Sequence, residues 1–242
     1  MSKMFKSQGI IFRTVKYSET SIICDIYTRE KGLKTFIVSG VRTSKAGSRA
    51  AIYHPCNIVD IVGYEQEAER LSRIKEISLG FHFKNINVQI LISSMAIFIL
   101  EVIRNSIKEK EPNTELYDFL CEWIKYLDDA ANYDICLHLK FLIEFSYFLG
   151  FGPLDSQRSE SPYFDMLEGT FNNYINESNN ILDADDSAAI SALIHIERNS
   201  LKSLQWPKTV RNRINDHLLR YYKLHLSGFK DLKSLDILRS VL

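Results

Sequence analysis

Three cations in one short segment carry the clearest chemistry in this chain. Arg42, Lys45 and Arg49 lie within Arg42-Thr-Ser-Lys-Ala-Gly-Ser-Arg49, which contains no acid. A connection between strands has no structural need of three like charges. Such a set suits phosphate oxygens, whose counterions are released when cations replace them. Arg13, Lys16 and Lys34 add further positive charge nearby in sequence. Phe12, Tyr17, Tyr27 and Phe36 supply rings that could stack on unpaired bases, although a small barrel also needs large residues for its interior. A second basic group, Lys208, Arg211, Arg213, Arg220 and Lys223, falls on one predicted helix. It reads as a possible extension of a polyanion path, as a dock for an acidic peptide, or as a solvated face.

Catalytic patterns are missing. The sequence contains no G-x-G-x-x-G, no phosphate-binding loop of the G-x-x-x-x-G-K type and no H-E-x-x-H. Ser72-Arg-Ile-Lys75 and Ser227-Gly-Phe-Lys230 match S-x-x-K without its partner motifs. The six histidines are scattered. Asp183, Asp185 and Asp186 could hold a cation, but their place at a helix start explains them as caps and dipole partners. Cys24, Cys56, Cys121 and Cys136 have no zinc-ligand spacing and read as small buried hydrophobes. The expectation is a protein without metal, cofactor or catalytic site.

Charge is unevenly spread. The 242 residues carry no formal net charge. Residues 1–50 nevertheless hold ten basic against three acidic residues, residues 109–186 four against seventeen, and residues 187–242 ten against four. One surface for a polyanion and another that repels it would produce this pattern. A composition of 45% hydrophobic and 25% charged residues is that of an ordinary globular protein. No apolar run is long enough to span a bilayer, and Met1 to Gln8 does not resemble a signal peptide, so a cytoplasmic protein without membrane attachment is expected.

The elements that must position these residues fall into two groups. Five strands are predicted within the first eighty residues, around Gly9–Tyr17, Thr20–Thr28, Leu33–Val41, Asn57–Tyr64 and Leu71–Ile77. In the first, plain alternation puts Ile11, Val15 and Tyr17 on one face and Phe12, Thr14 and Lys16 on the other. Five short strands suggest a small barrel. After His82 the period becomes helical. Helices are predicted over Val88–Lys108, from an Asn113 cap to about Asp129, over Tyr133–Leu149, and from a capping box at Asp183 and Asp186 to Leu204. Two more follow, one opened by Pro207 at its first position and one over Leu232–Val241. Residues 154–180 read as irregular, with a short hairpin. The expected architecture is α+β and multidomain: a five-stranded β-barrel over 1–80, then an all-α helical domain over 81–242.

Several segments resemble the RecO family of recombination mediators. Gly9-Ile-Ile-Phe-Arg-Thr-Val-Lys-Tyr-Ser-Glu-Thr-Ser-Ile-Ile23, Ile26-Tyr-Thr-Arg-Glu-Lys-Gly32 and Phe36-Ile-Val-Ser-Gly-Val-Arg42 are similar to the start of that family. Phe148-Leu-Gly-Phe-Gly-Pro153 and Tyr163-Phe-Asp-Met-Leu-Glu-Gly-Thr-Phe171 are similar to its middle. The resemblance implies an OB-fold barrel that binds single- and double-stranded DNA, and annealing of complementary strands. It implies partnership with RecR and with the C-terminal tail of single-strand-binding protein in loading recombinase on gapped DNA, hence a nucleoid-associated location. It places Arg42, with Lys34 and Lys45 near it, where the family contacts DNA. Many members carry four cysteines with zinc spacing after the match to Leu149-Gly-Phe. Here Gly152-Pro-Leu-Asp-Ser-Gln-Arg-Ser-Glu-Ser161 has none, so a zinc-less variant is expected, its hairpin held by packing of Tyr163, Phe164 and Phe171. The competing readings are an interaction adaptor of the replication and repair machinery that leaves DNA alone, and a DNA-processing enzyme with an unrecognised site. Steep salt dependence of DNA binding would favour the mediator, and metal-dependent nicking the enzyme.

Overall fold

The computed structural model describes residues 4–41, 47–64, 71–108, 110–154, 162–173 and 180–242. Five strands close into a barrel: β1 (Met4–Lys16), β2 (Ile22–Thr28), β3 (Gly32–Val38), β4 (Ile58–Tyr64) and β5 (Ser72–Leu79). They are ordered β1-β2-β3-β5-β4, with β4 returning to β1. All contacts are antiparallel except β3 with β5. Ile11, Ile22, Cys24, Ile26, Phe36, Val38, Val59 and Ile61 fill the interior, with Val41 and Tyr53 among the same buried cluster. Each buried isoleucine contributes about 1.5–3 kcal/mol over its exposed state.

A bulge in β1 overturns the simple alternation read from the sequence. Pairing with β2 slips between Ile11 and Arg13. The extra residue is Phe12, and it reverses the facing of everything after it. Ile11 therefore shares the interior side with Thr14 and Lys16, opposite Ile26, Cys24 and Ile22 respectively, while Val15 turns outward opposite Ile23.

The segment read as a plain loop after β3 also contains a short helix, α1 (Gly47–Ile52). Asn57 holds its end, donating through Nδ2 to the carbonyls of Ala51 and Ile52 at 2.9 and 3.0 Å.

The chain divides into two compact units, residues 1–130 and 131–242. The first unit includes α2 (Ile90–Ser106) and α3 (Thr114–Asp128). Asn113 caps α3 as its sequence predicts, accepting from the Leu116 N–H at 2.9 Å.

The second unit holds α4 (Leu137–Phe148), a hairpin of β6 (Tyr163–Asp165) and β7 (Thr170–Asn172), α5 (Ala184–His195), α6 (Lys208–His225) and α7 (Ser234–Val241). Asp183 caps α5 by accepting from the Asp186 N–H at 2.9 Å. The reciprocal half of the expected capping box is absent, because the Asp186 carboxylate is bound by Arg213 and His217 instead. Pro207 stands at the cap of α6, one position before its first helical residue. Among the described residues no helix is long and apolar enough to cross a membrane.

Candidate nucleic-acid interface

The barrel positions its cations at three different places. Lys16 is opposite Ile22, on the interior-facing row at one end of the barrel, where its stem lines an open cleft with Ile22 and Val41. Lys34 is opposite Ile26, four residues further along β2 and towards the β2–β3 turn. That is about 13 Å along the strand. Arg13 lies on the outer wall opposite Asp25, with Nε 3.5 Å from the carboxylate. Thr35 Oγ1 donates to the same carboxylate at 2.8 Å. Among the described residues no carboxylate pairs with Lys16 or Lys34.

Arg42 and Lys45 lie outside the described residues, as does the side chain of Arg49, whose backbone belongs to α1. The described chain on either side fixes where this basic segment begins and ends. Val41 is buried, and its N–H donates to Thr20 O at 3.0 Å. Ala50 and Tyr53, just beyond Arg49, line the same cleft as Lys16. The acid-free segment thus starts and finishes at the Lys16 end of the barrel.

Of the four rings offered for stacking, Phe36 fills the barrel interior and Phe12 and Tyr27 are buried outside it, all at 2% exposure or less. Phe12 and Tyr27 stack on each other at 5.3 Å, and Tyr117 of α3 lies 6.2 Å from Tyr27. Tyr17 is 59% exposed, on the β1–β2 turn directly after Lys16.

Two basic residues missed by the sequence reading join the outer wall. Arg73 of β5 is exposed beside Ile37 of β3, which in turn pairs with Ile23 of β2. Arg104, in the last turn of α2, is held below the ordinary guanidinium value by partial burial and then by the nearby charge of Arg13. No spacing rule links Arg104 to Arg13; the only local signal is a cation at a helix C-terminus. A groove along β1, β4 and β5 is lined by Lys6, Glu30, Asp60 and Glu76, and Arg29 and Lys75 lie 3.8 and 3.3 Å from the Glu30 and Glu76 carboxylates.

The cations of the second basic group are bonded within their own unit. Lys208 Nζ donates to Arg239 O at 2.6 Å, and Arg220 to Asn180 Oδ1 at 3.0 Å. Arg213 bonds both oxygens of Asp186 at 2.8 and 3.0 Å, and Lys223 pairs with Asp231 at 2.5 Å. Arg211 is not a surface residue: it is 7% exposed and donates to Trp206 O and Leu242 O. Helical spacing brings these cations onto one element, and each finds a hydrogen-bond or ion-pair partner within the unit.

All four cysteines are free and buried, and burial pushes the thiols of Cys24, Cys56 and Cys136 up to about 12. Among the described residues no group of three or more His, Cys, Asp or Glu could hold a metal. The β6–β7 hairpin is held by packing. Phe164 lies 5.0 Å from Phe171 and 5.6 Å from Tyr221, and its N–H donates to Ser187 Oγ. Tyr163 is only half-buried.

A closed five-stranded barrel in the order β1-β2-β3-β5-β4, with a short helix between β3 and β4, is an OB-fold domain. Barrels of this class bind oligonucleotides or oligosaccharides through the β2–β3 face and adjoining loops. Residues 1–81 match the family described as recombination protein O N terminal, and residues 89–236 its C-terminal counterpart. The chain belongs to the RecO family of DNA repair proteins. Similar relatives, each called DNA repair protein RecO, include those of Phocaeicola vulgatus (31% identical over 236 residues, covering 98% of both chains) and Flavobacterium psychrophilum (31% over 240 residues, 98% of both). The relative from Porphyromonas gingivalis is 26% identical, over 97% of this chain and 98% of its own.

Proposed function

We propose that this protein is a non-enzymatic recombination mediator that binds single- and double-stranded DNA through the Lys16 end of its barrel. Arg42, Lys45, Arg49 and Lys16 track the phosphates, and Tyr17 offers an exposed ring to a base. Arg13 on the outer wall extends the track beside Arg73 and Arg104. In this reading the protein anneals complementary strands. It helps load recombinase on gapped DNA with RecR and with the tail of single-strand-binding protein, at the nucleoid.

The observation that carries the reading is the meeting of Lys16, free of any described carboxylate, with both ends of the acid-free segment 42–49. Because the α6 cations are internally bonded, no second DNA surface is assigned to them. The test is binding of an oligonucleotide across a salt series, with wild type and an Arg42→Glu/Lys45→Glu variant. A mediator shows steep salt dependence that the variant loses along with affinity. Negligible binding by the folded wild-type protein would instead favour an adaptor role.

A further inference from the structure

The cleft beside Lys16 has the chemistry of a pocket for one unpaired base. It opens at the barrel end and encloses about 340 Å³. Ile22, Val41 and Pro55 give it apolar walls, and Lys16 and His54 stand exposed at its edge. Apolar surfaces suit the faces of a heterocycle, and a cation at the rim suits the phosphate attached to it.

The walls are pinned by bonds from three directions. Thr14 Oγ1 donates to Tyr53 O at 2.8 Å, tying the chain after α1 to β1. The Cys56 N–H donates to Ile11 O at 2.9 Å, just beyond Pro55. Val41 is anchored to Thr20, as described above. A site held this way does not need to be ordered by its ligand, which lowers the entropic cost of binding.

We infer that this cleft receives a single base extruded from an unpaired DNA strand, with Lys16 and His54 at its phosphate. The inference rests on the proposed DNA binding and adds to it a dependence on bases. A paired base is stacked and unavailable, so the cleft would favour single strands over duplex.

The test compares oligothymidylate with an abasic deoxyribose-phosphate oligomer of equal length, on the whole protein. Wild type should bind oligothymidylate about ten-fold more tightly, the effect of one well-placed base contact. Ala50 is exposed on α1 and lines the cleft, so Ala50→Phe should fill it without removing a cation. That variant should lose the ten-fold preference and keep wild-type affinity for the abasic oligomer. A second measurement avoids any folding defect: wild type is cross-linked to 5-iododeoxyuridine oligomers and the attached peptides are mapped. Attachment should fall within residues 14–22 or 50–55. Equal binding of the two oligomers, a preference that survives in Ala50→Phe, or cross-links confined to other segments would overturn the cleft assignment while leaving phosphate binding intact. Failure of both oligomers to bind would overturn the DNA reading itself.

Discussion

Asn85 donates twice to Asp128 across 43 residues of chain, once from its backbone and once from its side chain. The Asn85 N–H donates to Asp128 Oδ1 at 2.8 Å, and Asn85 Nδ2 donates to the Asp128 carbonyl at 2.6 Å. The same carboxylate accepts from the N–H groups of Lys84 and Ile86, each at 2.8 Å. The end of α3 thereby fixes the turn through which the barrel hands over to α2. Asp128 is 5% exposed and Ile86 is buried, so the Ile86 N–H has little water to fall back on.

Asp128→Ala should therefore destabilise the first unit by about 2–4 kcal/mol, the cost of leaving one buried and two partly buried donors without their acceptor. Urea denaturation followed by barrel and helix signals would measure it. A midpoint within error of wild type would show that the turn holds without the carboxylate.

Two glycines with left-handed backbones should respond differently to alanine. Gly32 has φ +63°, and a Cβ there would overlap the carbonyls of Lys110 and Glu111. Gly40 has φ +74° and open space around it. Gly40→Ala should cost about 1–2 kcal/mol from conformation alone, and Gly32→Ala clearly more. Equal shifts in melting temperature would contradict the steric account.

Lys16 and Lys34 are both basic barrel residues, but they lie at different levels of the barrel. Lys16→Ala should reduce the slope of log affinity against log salt for single strands by about 0.7, the value of one phosphate contact. Lys34→Ala should leave the slope unchanged. The reverse result would move the DNA track to the β2–β3 turn.

Burial holds the His138 imidazole at about 3, with the charge of Arg211 acting in the same direction. In the unfolded chain it protonates near pH 6.5. Between those values the unfolded state binds the extra proton, so stability falls as pH is lowered. The loss is about 1.4 kcal/mol per pH unit, or about 2 kcal/mol between pH 6.5 and 5. His138→Gln should flatten this part of a stability–pH profile. A variant as acid-sensitive as wild type would place the effect elsewhere.

Much of the fold is legible locally. Alternating β-branched residues announce the strands, Asn113 and Asp183 announce helix starts, and the positions of the five strands follow from short-range preferences. The missing zinc spacing is equally plain in the chain, and Phe164 and Phe171 do pack together in the hairpin it leaves. The candidate interface is harder to read. The run Arg42 to Arg49 is conspicuous because its charges are neighbours in sequence, and that alone marks the barrel end where it is attached.

What the sequence by itself determined is therefore the type of most elements, the family likeness and the presence of a basic segment. Only the tertiary structure decided which way the side chains point and which charges remain unpaired. One extra residue at Phe12 reverses the facing of Val15 and Lys16, because strand alternation has a period of two and any single insertion inverts it. Arg213 and Arg211 look like surface cations along their helix, yet Asp186 and the carbonyls of Trp206 and Leu242 take them up. Local preferences fix a residue's backbone, but its electrostatic role depends on partners brought to it from distant parts of the chain.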